Sequence, residues 1–345
     1  MQACLLANLR TGVKKKNDPV APLAYTLCMV CIRACGITRK LLFKVLLHKV
    51  PFWADSGQLV ALIGPSGSGK TTLLNILALL DSRYRGSLFL DNTDAHSREI
   101  RRFWPAIGYV HQFAVLHPGL KVVDTLYYTY CLRQGKDRSK REILRQVQAF
   151  LQHFAMADKA GQRLRNLSGG ERRRVHIINE LLAGPNVLFL DEPLSGLDPA
   201  NSRVIMKLLA YLAKGGKTVV FTTHSSDSLA FCEHLFFLHK GSLVFWGSPE
   251  RMYGYFNSQT VPGCYEKVLA GDRAYLAGRF RQTAPYRRLL GHIARPARTA
   301  AVTAPGQAAG QDRRPQQEKK RRQPGVDEEF NNLLNDLKGR QRDDA

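Results

Sequence analysis

The string GPSGSGKTT at residues 64–72 leaves a chain few ways to fold. A Gly-x-x-x-x-Gly-Lys-[Ser/Thr] run becomes a phosphate cradle only where a strand feeds it and a helix leaves it. Both flanks are present: residues 59–63 (LVALI) form an apolar run of buried-strand length, and residues 71–80 are rich in helix formers. Gly64, Gly67 and Gly69 let the loop, which also holds Pro65, Ser66 and Ser68, curl until its N–H groups and the positive end of the helix face a triphosphate. Lys70 then reaches the β- and γ-phosphates, while the Thr71 hydroxyl, followed by Thr72, is placed for Mg²⁺.

A second buried-strand run, residues 187–190 (VLFL), ends in Asp191 and Glu192. At the carboxyl end of a parallel strand this pair lies beside the phosphate loop. Asp191 is expected to hold the Mg²⁺ shell, and Glu192 to polarise an attacking water on the far side of the γ-phosphate from the leaving oxygen. Between the two strings comes LSGGE at residues 167–171. Ser168, Gly169 and Gly170 precede a basic helix read over residues 172–182, so a hydroxyl and exposed N–H groups at a helix start make a second anion site.

These strings, in this order, resemble the nucleotide-binding domain of an ATP-binding cassette (ABC) transporter over residues 46–256. LSGGE is the most specific element, because a phosphate loop alone is shared by many NTPases. The resemblance implies an α/β P-loop cassette: a mainly parallel sheet flanked by helices, with a helical signature subdomain and an antiparallel β subdomain. It implies ATP and Mg²⁺ as cofactors and two cassettes that sandwich two nucleotides, Ser168 and its glycines closing the site of the opposite subunit. Gln112, in GYVHQFAVLHPGL, matches the glutamine that touches Mg²⁺ near the membrane domain; residues 195–198 (SGLD) match the D-loop; His224, after the apolar run 218–222 (TVVFT), matches the histidine that contacts the γ-phosphate. Taken singly, the glutamine and the histidine are not diagnostic; their order and strand-end placement are.

One family element is displaced. An aromatic ring usually stacks on adenine ahead of the phosphate loop, yet residues 35–42 (CGITRKLL) have none, and Phe43 and Tyr25 are the nearest candidates. Residues 117–133, 169–198 and 241–256 resemble the G subfamily, the pigment-precursor and sterol half-transporter type, with Leu194 where threonine is usual. In that subfamily a six-helix membrane domain follows the cassette on the same chain.

No apolar run here reaches the ~20 residues that a bilayer crossing takes. The run 20–32 contains Pro22 and reads as a strand at the start of the domain rather than a signal peptide, since a cassette needs the cytosolic nucleotide pool. The expected location is therefore the cytoplasmic face of a membrane, beside a separately encoded transmembrane domain. Seven cysteines without C-x-x-C spacing speak against a disulfide framework or a zinc site, and Cys28, Cys31 and Cys35 read as packing residues.

The domain reading is a basic extension over 1–40, the ATPase domain over 41–256 with its helical subdomain at about 123–182, a helical, basic stretch over 257–298, and a disordered basic linker with a short C-terminal amphipathic helix over 299–345. Within the subdomain, Ile143, Leu144, Val147, Phe150 and Leu151 recur at helical spacing. Of the formal net charge of +23, the residues before 46 carry +7 and those from 273 onward +8, so about two-thirds falls outside the resemblance. Such flanks suit anionic lipid, and nucleic acid less well. Two alternatives stand beside the transporter ATPase: a non-transport ABC ATPase acting on RNA or a ribosome, and a half-transporter truncated before its membrane helices. Against the first, translation factors of this kind carry two cassettes, and there is one phosphate loop here.

Overall fold

A computed structural model describes residues 30–112, 116–134 and 138–296; the short C-terminal amphipathic helix read within 299–345, Tyr25 and Cys28 lie outside them. Ten strands are described: β1 (Ile32–Leu41), β2 (Lys44–Ala54), β3 (Leu59–Ile63), β4 (Arg85–Leu90), β5 (Thr93–Asp94), β6 (Ile107–Val110), β7 (Val187–Leu190), β8 (Thr218–Thr222), β9 (His234–His239) and β10 (Ser242–Gly247). The helices are α1 (Lys70–Leu77), α2 (Val122–Gln134), α3 (Lys140–His153), α4 (Gly169–Leu181), α5 (Pro199–Lys214), α6 (Pro249–Phe256), α7 (Val261–Ala270), α8 (Arg273–Arg281) and α9 (Ala284–Ala294).

Two sheets result. The larger has the order β10-β9-β3-β8-β7-β6, in which β3, β6, β7, β8 and β9 run parallel and β10 pairs antiparallel with β9. Its central runs LVALI, VLFL and TVVFT are buried at every position, as strands covered on both faces must be. The smaller sheet, β2-β1-β4-β5, is antiparallel throughout. Strand β1 crosses the boundary read between residues 40 and 41, with all but its last residue on the extension side, and is paired along both edges.

Helix α3 starts at a capping box, Ser139 Oγ accepting from Glu142 N–H, and buries Ile143, Val147 and Leu151; Leu144 and Phe150 are half-buried. Helices α2 and α4 are joined by Thr129 Oγ1 donating to Asn179 Oδ1 at 2.6 Å and by Arg133 against Glu180 at 2.8 Å. Glu180 also accepts from the backbone N–H of Tyr109, which fastens α4 to β6.

The helices after residue 256 lie on the cassette. Trp53 of β2 stacks on His292 of α9 with ring centres 4.1 Å apart. Arg33 of β1 donates through Nη1 to the carbonyls of Ile293 (3.3 Å) and Arg295 (2.7 Å) at the end of that helix.

His176, on α4 and 3% exposed, is pushed down to about 4 by burial, with Arg173 and His111 adding to the effect. A histidine depressed from 6.5 stabilises the fold fully above its unfolded value and ceases to do so as pH falls towards about 4. The loss is roughly 3 kcal/mol, at about 1.4 kcal/mol per unit. Urea unfolding between pH 7.5 and 4.5 is expected to show a shallower stability decline for His176→Gln than for wild type; equal slopes would remove His176 from the acid response.

Candidate active site

Strand register assembles the site. Across the larger sheet Ile63 of β3, Thr222 of β8, Leu190 of β7 and Val110 of β6 all end at the same edge, because Leu62 pairs with Thr222, Leu190 with Phe221 and Val110 with Leu190. The segments that leave these strands must therefore meet there. The phosphate loop leaves β3, His224 comes after β8, Asp191 and Glu192 after β7, and Gln112 after β6.

The loop at residues 64–69 depends on two glycines in particular. Gly64 has φ 146°, and a Cβ there would lie 2.2 Å from the Leu238 carbonyl oxygen; Gly69, the N-cap of α1, has φ 100° and packs against Leu47. Ser68 and Lys70 are buried, whereas Ser66 and Gly67 are exposed and Pro65 and Thr72 half-buried. Lys70 Nζ donates to the carbonyls of Gly64 (2.8 Å) and Pro65 (3.0 Å). Burial lowers its pKa, opposed by the nearby Glu192 and Asp191 carboxylates.

Thr71 Oγ1 donates to Asp191 Oδ1 at 3.0 Å, and Thr222 Oγ1 donates to the same oxygen at 2.8 Å. An octahedral Mg²⁺ with bonds of about 2.0–2.1 Å has neighbouring ligands roughly 3 Å apart, so a hydroxyl and a carboxylate at this spacing fit one edge of its shell. Asp191 is 4% exposed.

Glu192 is held at every polar group. Its N–H donates to Thr222 Oγ1 (2.7 Å), its Oε2 accepts from Gln112 Nε2 (3.0 Å), and its Oε1 lies 2.5 Å from His224 Nε2. Its φ of 46° is uncommon for a residue with a side chain. Gln112, Glu192 and His224 are thus one contiguous cluster, as their order along the sheet dictates.

Ser168, Gly169 and Gly170 stand apart from that cluster, at the N-terminus of α4. The helix begins at Gly169 rather than at residue 172, which puts both glycines in the first turn, where N–H groups have no partner within the helix. Ser168 is the N-cap: its Oγ accepts from Glu171 N–H (3.2 Å), and Glu171 Oε2 accepts from Ser168 N–H (2.8 Å). Burial works to raise the Glu171 pKa, but the Ser168 N–H and Lys159 outweigh it and the net shift is downward.

Three participants are not legible as site residues in the sequence. Thr222 is the last residue of an apolar strand. Arg173, read only as part of the basic helix over residues 172–182, is 7% exposed and turns inward, whereas Arg172 is exposed. Tyr265, on α7, accepts from the N–H of Gly64 at 3.0 Å, and burial pushes its phenol up to about 12, so it is neutral. Of the aromatics considered for adenine, Phe43 occupies the turn between β1 and β2, fully exposed beside Leu42, itself 89% exposed.

The profile of the family described as "ABC transporter" matches residues 47–195. ABC transporter G family member 1 of Dictyostelium discoideum is 36% identical over 244 residues, 68% of this chain and 30% of that protein. ABC transporter G family member 21 of Arabidopsis thaliana is 38% identical over 210 residues, 59% of this chain and 31% of its own length. The chain thus spans about a third of the length of these relatives. Among solved structures, the dimeric post-hydrolysis state of the ATP-binding cassette MJ0796 bound to ADP and Pi superposes with a TM-score of 0.58 at 28% identity, covering 63% of this chain and 98% of that one.

Proposed function

We propose that this chain, whose residues 47–195 match the family described as ABC transporter, is the ATPase of a G-subfamily-type transporter, hydrolysing MgATP in a dimer of cassettes. The observation that carries this reading is the convergence, at one sheet edge, of the phosphate loop with Gln112, Asp191, Glu192 and His224.

In this reading the loop N–H groups and Lys70 bind the phosphates, and Thr71 and Asp191 hold the Mg²⁺, with Gln112 at its margin. Bound Mg²⁺ supplies charge neutralisation on the phosphate oxygens. Glu192 orients the attacking water and accepts its proton, and His224, which touches Glu192, holds the γ-phosphate. Gln112 Nε2 keeps the Glu192 carboxylate turned towards the site.

Ser168, Gly169 and Gly170 close the nucleotide site of a partner cassette. In support, a Cβ at Gly169 would meet nothing within 4 Å among the described residues, so neither their packing nor their backbone calls for glycine there. Close approach from outside does. The exposed ring of Phe43 is suited to stack on a base.

Coupling to transport needs a membrane domain. No helix among the described residues is long and apolar enough to cross a membrane. In this reading the chain works at the cytoplasmic face of a membrane together with a transmembrane domain, its basic flanks against anionic lipid. The test is to purify the protein at its native level from detergent-solubilised membranes and to identify what accompanies it. A stoichiometric multi-spanning protein supports the transporter reading. Recovery with RNA or ribosomes, and no membrane protein, sinks it.

A further inference from the structure

Arg173 is the middle of three consecutive arginines, yet it is buried and its guanidinium points into the sheet edge rather than to solvent. Nη1 donates to the carbonyl of His111 at 2.6 Å, and Nη2 donates to the carbonyls of Gln112 (2.7 Å) and Glu192 (3.1 Å). One side chain from the helix headed by Ser168 therefore grips the backbone beyond two different strands, β6 and β7.

A buried cation is costly unless its donors are satisfied, and here the planar fork meets three main-chain acceptors. What it holds is informative. Glu192 sits in the left-handed region, which for such a residue persists only where the surroundings over-determine it. Its N–H donates to Thr222, its carboxylate contacts Gln112 and His224, and its carbonyl accepts from Arg173 and from the Ser195 N–H (3.1 Å). Arg173 is the member of this set that belongs to α4, five residues beyond the N-cap Ser168.

We infer that Arg173 is a positioning residue: it links the N-terminal turn of α4 to the backbone of Gln112 and Glu192, so that docking of Ser168, Gly169 and Gly170 on a partner's nucleotide sets the hydrolytic carboxylate. The inference rests on the ATPase reading of this site. A displacement of α4 along its axis carries the guanidinium with it, and the peptides after β6 and β7 must follow or lose their bonds. Lysine cannot replace the link, because a point charge on a flexible stem does not bridge three carbonyls in fixed directions.

The test uses the full chain and compares wild type, Arg173→Lys and Arg173→Gln, each assayed well below its own Tm. For each, the ATP Kd, the KM and kcat of MgATP turnover, and hydrogen exchange over residues 110–112 and 191–194 with and without MgATP are measured. Both variants are expected to lose at least about tenfold in kcat, with Kd and KM within about twofold of wild type, and to lose the nucleotide-dependent protection of the two segments. A merely structural role would lower Tm and leave kcat per nucleotide-binding molecule at the wild-type value; that result overturns the inference. If wild type binds ATP but Glu192→Gln leaves turnover unchanged, the ATPase assignment fails and takes the inference with it. Normal wild-type turnover, lost in Glu192→Gln and kept in both Arg173 variants, sinks the inference alone.

Discussion

Glu192→Gln is expected to lower MgATP turnover by about 10²–10⁴-fold, the range for loss of a general base, while ATP stays bound and the cassette dimer accumulates. The substitution is nearly isosteric. Gln112 Nε2, 3.0 Å from Glu192 Oε2, keeps an acceptor in the amide oxygen, and the Thr222 and Arg173 contacts involve only the backbone of residue 192. What disappears is the negative charge and the capacity to take a proton from water. Binding and closure, which the proposed function assigns to the phosphate loop and to Ser168, Gly169 and Gly170, are expected to be left in place. Phosphate release measured beside size-exclusion chromatography in MgATP checks both halves of the expectation. Undiminished turnover would refute the role of Glu192.

Lys70→Ala acts one step earlier, on binding. Lys70 is 6% exposed and is held by the carbonyls of Gly64 and Pro65, which aim its ammonium along the inside of the loop. A charge-assisted contact of this kind contributes about 1.5–3 kcal/mol, so ATP affinity is expected to fall roughly 10- to 150-fold. Lys70→Arg separates charge from shape: the planar guanidinium retains the charge but does not reproduce the compact ammonium that the Gly64 and Pro65 carbonyls hold. Titration calorimetry with ATP in the presence of Mg²⁺ gives the answer directly. An affinity within twofold of wild type for Lys70→Ala would remove the lysine from the phosphate site.

Much of this machinery is legible in the sequence, for a physical reason. The runs LVALI, VLFL and TVVFT are short, free of charged residues, apolar in the middle and followed at once by polar or glycine residues, and the structure has strands with those bounds. A parallel sheet buried on both faces can be read from such runs because no alternation is needed. Pairing is less legible. That Gln112, Glu192 and His224 touch depends on the order β8-β7-β6, a tertiary fact that the chemistry of each residue does not contain.

The inward turn of Arg173 escapes for a different reason. In GGERRRVH three arginines carry the same charge, and only the helical phase fixed by the Ser168 cap puts Arg172 outside and Arg173 inside. Strand β1 escapes through its register shifts with β2 and β4, which interrupt the alternation that would mark a strand. Tyr265 is remote in sequence from the loop that it touches, and no local pattern announces the contact.

That contact gives the segment after Phe256 a mechanical meaning. Tyr265 is bonded to the first residue of the phosphate loop, and the end of α9 is bonded to Arg33 and stacked on Trp53. Tension applied to the chain beyond Arg295 would load Arg33 first and then, through α9, α8 and α7, the root of the nucleotide cradle. A fragment stopped at Phe256 would strand the Gly64 N–H, at a cost of about 1–3 kcal/mol if it stays buried. The helices from 261 to 294 are thus a strap on the ATP site, and a pull on one end is felt at the other.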